Sequence, residues 1–242
     1  MTVVVTGAAS GIGAALCRRL AAIGVDRDDC DVTDPEAIER VVAKHWPIDI
    51  WINNAGIAVG GAAEDISLAD WQRVLAVDLI GVVHGVYAVY PRMVRRGSGQ
   101  IVNIASVAGL APYPLALPYT TAKHAVVGLS LALRAEAARH GIRVNVACPG
   151  AIATPIWERS DIRGRLAAGR ERMAALPKLS ADACARAIIR GMAADRAVIP
   201  VTAEAQIAWR LARWAPSAAG WLARRLANYA RARDRDAPRH GR

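Results

Sequence analysis

Tyr119 and Lys123 stand four residues apart in the stretch PYTTAKHAV, Pro118 to Val126. On a helix residues i and i+4 share a face, so the phenol and the ammonium point the same way. A free phenol titrates near about 10 and is a poor base at neutral pH until a nearby positive charge favours the phenolate. Lysine is scarce in this chain, with Lys44 and Lys178 the other two, and Lys123 supplies that charge where a phenol can use it. The pair suits proton exchange with a carbonyl or alcohol oxygen. Ser106 ends the apolar run QIVNIAS, which predicts a hydroxyl at the carboxyl end of a strand. A second feature is TGAASGIG, Thr6 to Gly13. Gly7, Gly11 and Gly13, with Ser10 and Ile12 between them, let backbone N–H groups approach a dinucleotide pyrophosphate at a helix N-terminus.

These residues need a scaffold that brings strand ends together. Thr2 to Thr6 reads as a buried strand and Gly11 to Ile23 as a helix with Ile12, Leu16, Leu20 and Ile23 on one stripe. Asp34-Pro35 starts a helix through His45, and Ile48 to Ile52 is the next strand. Leu68 to Arg95 predicts one long helix, Gln100 to Ala105 a strand, Tyr119 to His140 a helix and Arg143 to Ala147 a strand. Ala183 to Ala193 is helical and Ala197 to Val201 a last short strand. Alternating strands and helices predict an α/β fold with a doubly wound parallel sheet, whose ligands bind at the carboxyl ends of the strands.

With four motifs in order, the sequence resembles the short-chain dehydrogenase/reductase family over about its first 200 residues: TGAASGIG, Asn53-Asn54-Ala55-Gly56, Ser106 before Tyr119 to Lys123, and CPGAIAT from Cys148 to Thr154. The resemblance implies a Rossmann-like domain, a nicotinamide cofactor, and Ser106, Tyr119 and Lys123 as catalytic residues, with Lys123 also holding the nicotinamide ribose. It implies that the segment Pro149, Gly150, Ile152 and Thr154 clasps the nicotinamide carboxamide. It places Asn53, Ala55 and Gly56 beside the adenosine ribose, a role set against simple stabilisation of the sheet. It also implies a homodimer or homotetramer. The family's fourth catalytic position, an asparagine, is occupied here by Asp78, a carboxylate that can pair with Lys123.

The pattern breaks between residues 24 and 47, which hold one predicted helix and no convincing strand. The fold is therefore expected to be shortened by about one strand and one helix at the edge that receives adenosine. Asp26 can bind a ribose 2′-hydroxyl and Arg27 a 2′-phosphate, and Asp31 can contact adenine or close the loop, so NAD and NADP both stay open with the lean to NAD. The shortening motivates an alternative: a non-catalytic dinucleotide-binding or membrane-associated scaffold with weakened cofactor affinity.

The division expected is a catalytic domain over 1–202, with a substrate lid near 155–180, and a basic helical extension over 203–242. Ile156, Trp157, Met173 and Leu176, with Tyr113 and Leu115 opposite, predict an apolar wall for an apolar secondary alcohol or ketone. The net charge of +10 lies wholly in residues 151–242, residues 1–150 being balanced. Ile207, Leu211, Trp214, Leu222, Leu226 and Tyr229 recur at helical spacing among arginines, a pattern for peripheral membrane contact or for docking on the domain or a second subunit. No nucleic-acid motif accompanies the charge, and no run of 18 apolar residues predicts a membrane span. His45, His84, His124 and His140 lack metal-ligand spacing, and no metal is expected. Cys17, Cys30, Cys148 and Cys184 form no CxxC or disulfide pattern, which fits a reducing cytoplasm.

Overall fold

The computed structural model describes residues 1–156, 158–164 and 178–235. Its centre is a parallel six-stranded sheet of β1 (Val3–Thr6), β2 (Ile23–Val25), β3 (Ile50–Asn53), β5 (Gly99–Ile104), β6 (Ile142–Cys148) and β10 (Val198–Pro200), in the order β10-β6-β5-β3-β1-β2. The inner strands VVVT and IWIN are buried along their whole length, as expected where helices cover both faces. Alternation within the strands separates two cores. Val4, Trp51 and Ile101 pack with Ile38 and Val42 of α2 (Pro35–His45) and Val89 and Met93 of α4 (Gly81–Arg96). Val3, Val5, Ile52 and Val102 face the other way, onto Leu16 of α1 (Gly11–Leu20) and Ile188 of α6 (Ala181–Ala193). The sheet is doubly wound and Rossmann-like.

The sequence expectation fails at one point on the first crossover. Helix α1 stops at Leu20 because Ala21 turns left-handed, with φ 48°. Ile23 belongs not to the helix stripe but to β2, in register with Val4 of β1. Strand β2 thus exists where residues 24–47 read as strandless. Its Gly24 leaves no room for a side chain, since a Cβ would come 2.7 Å from the Ala8 Cβ. After β2 the chain goes directly to α2, whose first turn is capped by Asp34 accepting the Glu36 N–H at 2.9 Å. The adenosine edge is a three-residue strand followed by one helix.

The long helix also differs from a uniform one. It comprises α3 (Leu68–Leu75), a π-helical turn (Ala76–Ile80) and α4. This 29-residue element is long and apolar enough to cross a membrane by length and composition, and Val82, Val89 and Met93 bury one face of it against the domain. Helix α3 starts with a reciprocal cap between Ser67 and Asp70. The Arg163 guanidinium, foremost, and the Ser67 cap hold the buried Asp70 carboxyl far below the usual carboxylate range. Arg163 follows β8 (Asp161–Ile162), which pairs with β4 (Val59–Gly60), while β7 (Ile152–Ala153) pairs with β9 (Leu179–Ser180). These two-residue ladders tether the segment after Thr154.

Helix α5 (Leu117–Ala137) presents the Tyr-Lys pair. The C-terminal residues form two helices, α7 (Ala203–Trp214) and α8 (Pro216–Arg235), broken at Pro216 as the sequence predicts. Thr202 caps α7, and the Ala151 N–H donates to Glu204 Oε1 at 2.7 Å. Trp209 packs on the cluster of Leu110, Val126 and Val146, so α7 is docked on the domain.

Candidate active site

Lys123 lies one helical turn from Tyr119 and both are buried. Its Nζ sits 5.4 Å from the Tyr119 ring centroid and 3.0 Å from Asp78 Oδ2, and donates to the Ile104 carbonyl at 3.2 Å. Asp78 is carried into this position by the π-helical turn, and its Oδ1 accepts the Ile57 N–H at 2.8 Å. Gly56 makes the approach possible, because a Cβ there would come 3.2 Å from Asp78 Oδ2 and 3.4 Å from the Lys123 ammonium. Ser106 lies two residues past β5, at the start of a 3-10 turn (Val107–Gly109); it accepts the Ala108 N–H at 3.2 Å and shares a hydrogen bond with Tyr119.

The electrostatics follow from that packing. Burial works against the Lys123 ammonium, but Asp78 and Tyr119 outweigh it and hold its pKa above the ordinary value. Burial pushes the Asp78 carboxyl up against the pull of Lys123 and of the Ile57 N–H. The Tyr119 phenol is raised, first by burial and further by Asp78, while Lys123 and Ser106 oppose the rise. Asp78 thus works against the tuning that Lys123 alone would give, and Tyr119 is protonated at neutral pH. Thiol chemistry is a poor alternative: burial pushes Cys148 and Cys184 up to about 12 and Cys30 up to about 11.

Tyr119, Lys123 and Ser106 line one cavity of about 1110 Å³ that also reaches the glycine loop. At the loop, Gly7 and Gly11 take left-handed φ values of 68° and 55°, and a Cβ on Gly7 would lie 2.7 Å from the Ala55 Cα. Ser10 leaves the first turn of α1 without a side-chain cap, so among the described residues it does not compete with an anion for those amides. The cradle fits a dinucleotide pyrophosphate. Ser10, Ile12, Asp26, Arg27, Asp31, Ala55, Gly56, Pro149, Gly150, Ile152 and Thr154 also line the cavity. Asp26 Oδ2 accepts the Ala9 N–H at 2.6 Å, which ties the loop to the end of β2. Asp31 accepts both the N–H and the hydroxyl of Thr33, closing a tight turn.

Gly13 and Asn53 lie elsewhere. Gly13 is a packing glycine, since a Cβ would sit 2.2 Å from the Gly7 carbonyl oxygen. The Asn53 side chain accepts the Trp51 indole N–H at 2.6 Å and donates to Asn103 at 2.8 Å, stabilising the sheet interior. Tyr113 and Ile156 line the cavity, whereas Leu115 does not; its carbonyl accepts the Gly61 N–H at 2.8 Å. Trp157, Met173 and Leu176 lie outside the described residues.

Sequence reasoning missed several contributors. Asn54 Nδ2 donates to the Thr6 and Gly7 carbonyls, each at 2.9 Å, and Thr6 Oγ1 accepts the N–H groups of Asn54 and Ala55. Thr6 opens TGAASGIG and Asn54 lies in Asn53 to Gly56, so their positions are visible in the sequence and their locking role is not. Arg159, Lys178 and Glu204 reach the cavity from distant segments, as do Ile207 and Leu211 of α7 and Leu222 and Leu226 of α8. No spacing signal predicts such long-range meetings.

Fold and site together define a dinucleotide-dependent dehydrogenase or reductase. The chain belongs to the short-chain dehydrogenase/reductase family: the family described as short chain dehydrogenase matches residues 28–163. The chain is 32% identical over 228 residues to 3beta-hydroxysteroid dehydrogenase 1 of Eggerthella lenta, covering 81% of this chain and 87% of that one. A short chain dehydrogenase/reductase from Burkholderia phymatum in complex with NAD superposes with a TM-score of 0.76 at 27% identity, over 88% of this chain and 92% of the other. One from Sphingobium yanoikuyae in complex with NADPH gives 0.73 at 25% identity, over 100% and 98%. The protein is an oxidoreductase with a nicotinamide dinucleotide cofactor.

Proposed function

We propose that the protein moves hydride between nicotinamide and an apolar secondary alcohol or ketone. The observation carrying this reading is the convergence of Ser106, Tyr119 and Lys123 on the cavity that the glycine loop opens into, with apolar groups such as Ile156 on its walls. The bound cofactor supplies or accepts the hydride at its nicotinamide ring. Gly7, Ser10, Gly11 and Ile12 hold the pyrophosphate, Ile152 and Thr154 with Pro149 and Gly150 hold the carboxamide, and Lys123 holds the ribose. Asp26 at the end of β2 favours NAD by accepting from a ribose hydroxyl, with Arg27 beside it as the group that would admit NADP.

Ser106 donates to the substrate oxygen as negative charge develops there. Tyr119, held protonated by burial and by Asp78, donates its proton to the forming alkoxide, which favours carbonyl reduction at neutral pH. Alcohol oxidation requires the phenolate and therefore gains with rising pH. Asp78 anchors the Lys123 ammonium and can hold a water for proton relay. Residues 1–202 act as the catalytic unit, and a homodimer or homotetramer is the proposed assembly. Trp214, 82% exposed on a helix bearing Arg210 and Arg213, supports peripheral membrane contact through the outer side of α7.

Nicotinamide absorbance, followed with NADH and NADPH against a panel of apolar ketones, tests the reading. We expect cofactor oxidation with at least one ketone, faster with one cofactor than the other. Cofactor binding without turnover of any ketone would favour the non-catalytic scaffold instead.

A further inference from the structure

The cavity wall is mixed: Asp26, Arg27 and Asp31 line it, as do Arg73, Arg159 and Lys178, whereas the side chains that α7 and α8 contribute are alanine, isoleucine and leucine apart from Glu204. Glu204 sits at the α7 N-terminus with its Oε1 accepting the Ala151 N–H. Ile207 and Leu211 lie one turn apart on α7, and Leu222 and Leu226 one turn apart on α8, so each helix offers a stripe about 6 Å long. Ile207, Leu222 and Leu226 remain 65%, 43% and 55% exposed although they line the cavity. The helix pair is tied to the domain by the Glu204 contact with Ala151 and by Arg231 to Glu64 at 3.1 Å. The cavity-lining side of the pair is hydrocarbon apart from Glu204.

Resting on the oxidoreductase reading above, we propose that the α7–α8 hairpin is the substrate's tail-binding wall, and that the substrate is a ketone or secondary alcohol bearing a long unbranched hydrocarbon chain. A chain fits better than a polyhydroxylated body because the helix stripes offer no hydrogen-bonding side chain beyond the occupied Glu204. Each methylene moved from water onto Ile207, Leu211, Leu222 and Leu226 gains up to about fourfold in affinity or kcat/KM.

The test uses the full chain and the 2-alkanones from 2-butanone to 2-dodecanone. For the wild type, kcat/KM should rise about two- to fourfold per methylene through the middle of the series. In Leu222→Ser/Leu226→Ser that slope should flatten. A second readout needs no turnover: intrinsic tryptophan fluorescence, titrated without cofactor, should saturate at lower concentration for the longer ketones. A flat wild-type slope with active short ketones would overturn the tail proposal and leave the oxidoreductase reading intact. Length-dependent binding without any turnover would do the reverse. Length-independent binding, with salt-sensitive sedimentation on phosphatidylglycerol vesicles, would assign the apolar stripes to a bilayer and also overturn the proposal.

Discussion

Tyr119→Phe is expected to lower kcat by about a thousandfold, within the range attributed to general acid–base catalysis, while leaving NADH affinity within about twofold. The phenol hydroxyl is the proton source for the alkoxide, and phenylalanine keeps the ring that fills the space beneath Lys123. Tyr119 packs in the cluster with Val74, Ala108 and Ala122, and that contact needs no hydroxyl. Single-turnover kinetics and cofactor fluorescence on the same preparation separate the two effects. Turnover retained within about tenfold of wild type would remove Tyr119 from proton transfer.

The second large effect is expected from Lys123→Met, which should abolish turnover and also destabilise the fold. Removing the ammonium leaves the Asp78 carboxylate fully buried with the Ile57 N–H as its remaining hydrogen-bond donor among the described residues. Stranding one partner of a buried ion pair costs about 3–5 kcal/mol, which lowers Tm by roughly 10 °C in a chain of this size. Lys123→Met/Asp78→Asn should recover most of the lost Tm, since the stranded charge is gone, and none of the activity. Recovery of turnover by the double variant would show that Lys123 acts only by neutralising Asp78. Asp78→Asn alone separates the two influences on Tyr119. Asp78 raises the phenol pKa, so its neutralisation lowers that pKa, and the rise of alcohol oxidation with pH should move toward neutral pH.

What was legible in the sequence was what is encoded locally. Tyr119 and Lys123 are neighbours by helix geometry, and the glycine loop declares itself by standing between a β-branched strand and an amphipathic helix. The doubly wound class followed from the alternation of such elements. The boundary near Ile23 was not legible, because an apolar residue at helical spacing also suits a strand, and a left-handed alanine decides between them. The π-helical turn that swings Asp78 onto Lys123 has no composition signal. Asn53 reads equally as a cofactor or a sheet residue, and its side chain bonds within the sheet to a partner remote in sequence, Asn103. The helical spacing of α7 and α8 showed that they have an apolar face but not what that face covers. Their meeting with the catalytic cleft is a tertiary event, carried by contacts such as Glu204 with Ala151.

The decisive measurement is the position of the nicotinamide ring in crystals grown with NADH. The ring is expected between the Pro149–Thr154 segment and Tyr119, with the Lys123 ammonium in hydrogen-bond reach of the adjoining ribose and the pyrophosphate on the Gly7–Gly13 loop. A ring bound elsewhere, or a Tyr119 hydroxyl turned away from it, would contradict the assignment of this cleft as the site of hydride transfer.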